Sequence, residues 1–156
     1  RILGSFAGHE RSRAERQPHR HRSVLSGEIG LPDTAADNSR VILSVSDVGT
    51  NTESSDAAVV LDGLTIRGAR DQSLVEATGA LVIRASDVAV RQCRFEDNNA
   101  PAGAAITAIA GAHIELSMST VRKGEAFVGA GVHASCATVD IDRAMIQANL
   151  AFAERV

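Results

Sequence analysis

Acidic and basic side chains recur at matching positions along the sequence, and they are the first candidates for chemistry. They form two sets with a common spacing: Asp62, Arg91, Ser117 and Asp142; and Arg67, Glu96, Arg122 and Gln147. Hydrolysis of a glycosidic bond needs a pair of carboxylates that flank the bond. Both sets alternate in charge instead of gathering carboxylates, so we expect exposed salt-bridge ladders worth about 0–1 kcal/mol per pair. We therefore assign no catalytic residue in this chain.

Two further groups have side chains that suit metal ions. His19 and His21 would face the same side of a strand, but arginines surround them, which favours exposed loop histidines. Asp97, Asn98 and Asn99 could offer oxygens to Ca²⁺, although the same residue types are common in turns. We expect no metal site and no cofactor, with Ca²⁺ as the cation that this sequence leaves open.

Composition excludes several classes of protein. The 156 residues carry a net charge of −3, with 22% charged and 44% hydrophobic residues, as is typical of one globular domain. Four Phe, no Trp and no Tyr leave few rings for stacking on sugars or bases, so we expect no nucleic-acid partner. No apolar run is long enough for a membrane-spanning helix.

The cysteines and the basic N-terminal residues are predicted to have structural rather than chemical roles. Two cysteines are too few for a disulfide framework or a zinc site, so we expect Cys93 and Cys136 to be small buried residues. Residues 1–22 contain six Arg against two Glu. They predict an irregular, solvated basic lead segment, with polyanion binding as the alternative.

A repeat of roughly 25 residues, within the range of short solenoid units, is the main signal in the sequence. VRQCRFEDNNA (90–100), LSMSTVRKGEA (116–126) and IDRAMIQANLA (141–151) align without gaps, which makes Val90, Leu116 and Ile141 equivalent. LDGLTIRGARD (61–71) is a degenerate copy further upstream. Each unit alternates apolar and polar residues between tight turns, which predicts short strands with one buried face.

This repeat length favours a parallel β-solenoid. Propeller blades need about 40–45 residues and helical repeats about 33–47. A leucine-rich repeat remains an alternative, but leucine is scarce at the repeated apolar positions. The sequence therefore predicts an all-β, single-stranded parallel β-helix of about six coils. Its domain organisation is the lead segment over 1–22 and the β-helix over 23–156, with regular coils over 57–151.

Stacked coils lie about 4.8 Å apart, so equivalent residues should form ladders. Three ladders follow from the alignment: a small one, Leu64, Cys93, Ser119 and Ala144; a large one, Ile66, Phe95, Val121 and Ile146; and a turn ladder, Asn98, Gly124 and Asn149. The first two should fill the interior. Asn and Gly tolerate left-handed backbone, so the third predicts a sharp turn in each coil. Residues 23–29 and 40–46 are predicted as strands of earlier, less regular coils.

These residues carry a family resemblance. The unit GAGVHASCATVDIDRAMIQANLA (129–151) resembles the repeats of right-handed parallel β-helix proteins of the pectin-lyase-like class, especially bacterial surface proteins of the polymorphic outer membrane type. Three upstream stretches are similar to the segments that lead into such helices: ILGSFAGHERSRAER (2–16), VLSGEIG (24–30) and VVLDGLTIRGA (59–69). Ser119 and Ala144 depart from the pattern, because cysteine is frequent there in the class.

The resemblance implies right-handed winding and a secreted or cell-surface location in a large modular bacterial protein, of which this chain would be a fragment. The expected function is a non-enzymatic scaffold for adhesion or for binding a polysaccharide, a cell-surface glycan or another partner. Within the larger chain it should be monomeric. The alternative is a fragment of a polysaccharide lyase or glycoside hydrolase whose active face lies outside this chain.

Overall fold

Parallel strands dominate the structure. The computed structural model describes residues 1–18, 20–31, 34–49, 57–73 and 78–152. Within these ranges it contains sixteen short strands, two 3-10 helices and no α-helix. All strand pairs are parallel. The predicted all-β parallel solenoid is therefore confirmed, and the leucine-rich alternative is wrong.

The strands are two to five residues long, as expected for a chain that turns a corner every few residues. In chain order they are β1 (Ile2–Leu3), β2 (Ser23–Ser26), β3 (Leu43–Ser46), β4 (Val59–Asp62), β5 (Leu64–Arg67), β6 (Leu81–Arg84), β7 (Asp87–Arg91), β8 (Arg94–Glu96), β9 (Ile106–Ile109), β10 (His113–Ser117), β11 (Thr120–Arg122), β12 (Glu125–Ala126), β13 (Val132–Ser135), β14 (Thr138–Asp142), β15 (Met145–Gln147) and β16 (Leu150–Ala151). The 3-10 helices are Arg13–Glu15 and Ala35–Asp37.

Successive coils contribute one strand each to three main sheets. Sheet A has the order β1-β4-β7-β10-β14, sheet B the order β2-β5-β8-β11-β15, and sheet C the order β3-β6-β9-β13. A small sheet D pairs β12 with β16 between sheets B and C. Each coil thus runs through A, B and C before it climbs to the next level.

The register places the predicted large ladder in one column of sheet B. Ile66 pairs with Phe95, Phe95 with Val121, and Val121 with Ile146, as the alignment of the repeats predicts. The first three are fully buried, whereas Ile146, in the last level of the stack, is 44% exposed. The small ladder lies just before this column: Leu64 opens β5, and Cys93, Ser119 and Ala144 immediately precede β8, β11 and β15.

The predicted number of coils is too high. Ile2 pairs with Leu61, so the first coil occupies all of 2–60. That coil contains both β2 and β3, which the sequence assigns to separate coils. Three regular coils follow, between β4 and β14. Long excursions such as 4–22 and 27–42 occupy the length that would otherwise form additional coils.

Left-handed residues mark the corners between sheets. Positive φ angles recur in three lines: Gly63, Gln92, Met118 and Arg143 between sheets A and B; Gly68, Asp97, Lys123 and Ala148 after sheet B; and Asp47, Ala85, Ala110 and Cys136 between sheets C and A. The turn predicted at Asn98, Gly124 and Asn149 is therefore misplaced by one residue. The preceding residue turns the backbone, which frees the asparagine side chain to bind neighbouring coils.

The asparagines satisfy backbone groups inside the stack. Asn98 accepts a hydrogen bond from the Ala69 N–H (3.1 Å) and donates one to the Ile66 carbonyl (3.2 Å). Asn149 makes the equivalent pair of contacts with Gly124 N–H (2.8 Å) and Val121 carbonyl (3.2 Å). These amides join successive coils where the ladders of sheet B end.

Position 124 requires glycine because backbone and side-chain atoms of the next coil approach it closely. A Cβ at this residue would lie 2.1 Å from the Ala130 carbonyl oxygen and 3.0 Å from Asn149 Oδ1. The glycine in the turn ladder therefore makes room for the asparagine of the next coil, and its φ is not in the left-handed region.

Asn98→Ala should destabilise the protein by about 1–3 kcal/mol, because a buried N–H and a buried carbonyl would lose their partners. Urea unfolding followed by circular dichroism measures this loss. Asn99→Ala is the control, since Asn99 is partly exposed and its side chain bonds only Glu125 among the described residues; its effect should stay within about 0.5 kcal/mol. Equal losses in both variants would contradict the role given to Asn98.

Candidate functional site

Side chains of the small ladder form hydrogen bonds with the backbone at the corner between sheets A and B. The Cys93 thiol donates to the carbonyl oxygens of Arg91 (3.2 Å) and Leu61 (3.6 Å). Ser119 Oγ accepts from the Cys93 N–H (3.0 Å) and donates to the Ser117 carbonyl (2.8 Å). Burial raises the pKa of the Cys93 thiol to about 11, which leaves it protonated and unreactive near neutral pH.

The two cysteines differ in environment, and the prediction that both are buried is wrong for Cys136. Cys93 is buried, Cys136 is exposed, and neither forms a disulfide. Cys136 is a left-handed corner residue with φ of 49°. The side chain of Cys136 is exposed to solvent at this corner.

The sequence predicts that Asp62 belongs to an exposed salt-bridge ladder, and this prediction is wrong. Its backbone is in register with Arg91, but its side chain is buried and contacts Arg16 Nη2 at 2.8 Å. Arg91 instead contacts Glu115 at 3.5 Å. The basic lead segment therefore covers this corner and neutralises Asp62, a contact between distant parts of the sequence that no local pattern reveals.

Glu96 also differs from the predicted exposed ladder. Its side chain is only 7% exposed, and its Oε1 accepts hydrogen bonds from Arg122 Nε (3.2 Å) and Nη2 (3.0 Å). Arg94 approaches the same oxygen at 3.5 Å. Arg67 lies in register with Glu96, yet it forms no ion pair among the described residues. Arg67 is exposed.

Most of the remaining outward carboxylates each contact a basic side chain. The contacts are His113 with Asp140 (2.9 Å), Lys123 with Asp97 (3.5 Å) and Arg143 with Asp142 (2.9 Å). In the part of the chain that the structure describes, no group of three or more His, Cys, Asp or Glu residues could hold a metal ion.

The residues predicted as possible metal ligands do not converge. Asp97 faces Lys123, Asn98 turns inward to the backbone, and Asn99 donates to Glu125 at 3.2 Å. His19 lies outside the described residues, so the H-x-H pair stays a prediction. The possible Ca²⁺ ligands thus have three separate partners.

An open polar groove crosses the corner that follows sheet B. We call it the arginine groove; its volume is about 380 Å³ and its walls include Ser26, Glu28, Thr34, Asn38, Arg67, Gly68, Arg70 and Asp97. It continues into a second depression of about 310 Å³ that shares Arg70 and Asp97 and extends to Lys123 and Glu125. Neither Arg67 nor Arg70 has an ion-pair partner among the described residues.

A second groove lies beside it and contains two phenylalanines. We call it the phenylalanine groove; it has a volume of about 230 Å³ and is lined by Asp71, Gln72, Ser73, Asn99, Ala100, Glu125, Ala126, Phe127 and Phe152. Ala126 pairs with Ala151 in sheet D, so Phe127 and Phe152 follow at neighbouring levels. They are 41% and 42% exposed. Sequence composition missed this site because only the register brings the two rings together.

Asp71 closes one end of the phenylalanine groove. Burial acts to raise the pKa of Asp71, but hydrogen bonds from the Thr78 hydroxyl and the Ser73 N–H outweigh it, with help from Arg40. The pKa is held below its ordinary value of 3.8. Asp71 is thus a carboxylate held in place by Ser73 and Thr78.

Comparisons with protein-family models, with curated proteins and with solved structures gave no match to this chain. None of the helices in the described ranges has the length and apolar character needed to cross a membrane. The assignment of the fold as a parallel β-solenoid therefore depends on the register of the strands. Two adjacent grooves lie on the surface of this fold.

Alkylation should distinguish the two cysteines. At pH 8, iodoacetamide should modify Cys136 in the folded protein, whereas Cys93 should react only after unfolding, because it is buried and protonated. Peptide mass spectrometry reports each site, and Cys136→Ser provides the matched control. Rapid modification of Cys93 in the folded control would contradict the buried corner.

The raised pKa of Cys93 also predicts a stability change in alkali. The folded thiol ionises near 11 and the unfolded one near its ordinary value of 9.0. The unfolded state therefore loses its proton first, and the free energy of unfolding should fall as pH rises from 9 to 11. The chain has no Tyr and a single lysine, Lys123, so few other groups titrate there.

Urea midpoints across this pH range measure the effect, and Cys93→Ala is the comparison. The decline should be clearly shallower in the variant, since the thiol that links stability to pH is gone. Parallel declines in both proteins would show that another group causes the loss.

Proposed function

We propose that this chain is a non-enzymatic β-helix scaffold of a secreted or cell-surface bacterial protein, and that it binds an acidic polysaccharide along the arginine groove. The observation that carries the proposal is the pair of guanidinium groups, on Arg67 and Arg70, that line an open groove without an ion-pair partner among the described residues.

Guanidinium chemistry supports an acidic ligand. Arginine presents a planar fork of N–H donors that matches the two oxygens of a carboxylate or sulfate. Arg67 and Arg70 lie on either side of the left-handed Gly68, so both side chains border the same depression. The second depression prolongs this surface toward later coils, which suits a polymer better than an isolated small molecule.

The environment of the carboxylates supports a binding role. Glu96 and Asp62, the most buried acids of the two predicted ladders, each contact arginine. Inverting or retaining hydrolysis needs a carboxylate pair free to act on a bond between them. The resemblance to pectin-lyase-like surface proteins adds support for the extracellular location.

The experiment uses the folded protein, checked by β-type circular dichroism, on immobilised polygalacturonate and on its carboxyl-reduced form, with and without Ca²⁺. We expect retention on the acidic polymer that weakens with salt, because salt screens exposed charges. Chain length is followed at the same time. Cleavage would contradict the scaffold and favour a lyase or hydrolase, and absence of retention would contradict glycan binding.

Arg67→Ala and Arg70→Ala should each weaken retention on polygalacturonate roughly ten- to a hundredfold, because each removes a charge-assisted contact of about 1.5–3 kcal/mol. Surface plasmon resonance at low and high salt measures the change. Arg143→Ala is the matched control, since Arg143 is exposed at a different corner and contacts Asp142. Equal affinity in all three variants would remove the arginine groove from the proposal.

A further inference from the structure

We infer that the phenylalanine groove is a stacking site for the apolar face of a pyranose ring in the bound polysaccharide. This inference rests on the proposed function and adds the feature that recognises the sugar ring itself. The arginine groove recognises charge, which is shared by many polyanions, whereas a ring face with hydroxyl groups at its edge is particular to carbohydrates.

The register creates the apolar wall. Phe127 and Phe152 follow β12 and β16, whose residues pair directly. Their backbone N–H groups donate to the preceding levels, at Pro101 and Ala126. The backbones of the two residues are thus held one level apart, about 4.8 Å along the stack. Aromatic rings attract apolar C–H groups, and a pyranose offers such groups on its faces.

Polar side chains also line the groove. Asn99 and Glu125 occupy matching positions at neighbouring levels, and Asn99 Nδ2 donates to Glu125 Oε2 at 3.2 Å. The other oxygen, Glu125 Oε1, has no hydrogen-bond partner among the described residues. A carboxylate oxygen accepts hydrogen bonds from hydroxyl groups, so Glu125 can bind the edge of a sugar whose face rests on phenylalanine.

Small alanine side chains line another part of the groove. Ala100 and Ala126 are buried, at 3% exposure each, and pack in a cluster that includes Ala104 and Ala130. Because these positions carry only methyl groups, they take up little of the space in the groove. Mostly apolar sites with a few placed polar groups are typical of small-ligand binding.

Shared residues connect the two grooves. Asn99 and Glu125 line both the phenylalanine groove and the second depression of the arginine groove. One polysaccharide chain can therefore place a charged group near Arg70 and a ring near Phe127. Salt should weaken the first contact and leave the second, which gives the two contributions different signatures.

Phe127→Ala and Phe152→Ala test the stacking site on the same two polymers. Each variant should lose about tenfold in affinity for polygalacturonate, by analogy with stacking on nucleobases. The loss should persist at high salt. The stacking site should also bind the carboxyl-reduced polymer weakly in the wild type, and both variants should lose this binding. Phe6→Ala is the control, because Phe6 is 40% exposed but lies in the lead segment, away from both grooves.

Phe127→Leu separates stacking from a general apolar effect. It keeps an apolar side chain and removes the ring, so its affinity should resemble that of Phe127→Ala if the ring face binds the sugar. Retention that depends on Arg67 but is unchanged in Phe127→Ala and Phe152→Ala would overturn the stacking site alone. A folded wild-type protein that retains neither polymer would overturn both the inference and the proposed function.

Discussion

The hydrogen bonds between successive coils are the interaction on which the rest of the molecule depends. Every strand pair in the described part of the chain is parallel and in register, so a residue of one repeat lies above its counterpart in the next. This arrangement turns a spacing in sequence into a column in space. The interior ladders, the asparagine contacts and both grooves are columns of this kind. A slip of one residue would move the interior column to the surface.

Parts of this architecture could be predicted because they are periodic. The gapless alignment of 90–100 with 116–126 and 141–151 contains the register of sheet B, since parallel coils repeat the same backbone path. The coil count was wrong because residues 1–58 lack the repeat, and a long excursion looks the same in sequence as an irregular coil.

The sites were harder to predict because they depend on contacts between columns. The Arg16–Asp62 contact joins the lead segment to the first regular coil, and neither residue has a local partner that signals it. Breaking such a buried pair leaves a desolvated charge, which costs several kcal/mol. The phenylalanine groove was missed for a related reason. Four Phe among 156 residues suggested no stacking surface, but the register concentrates two of them at one place.

The long first coil shows how this fold accommodates inserted segments. Its excursions 4–22 and 27–42 leave and re-enter at corners, yet β1, β2 and β3 keep their pairing with the coil above. Corners are therefore points where chain length can vary without disturbing the levels on either side. A foreign peptide grafted at a later corner, such as Gly111, where a Cβ would meet nothing within 4 Å, would be displayed at a defined level of the stack.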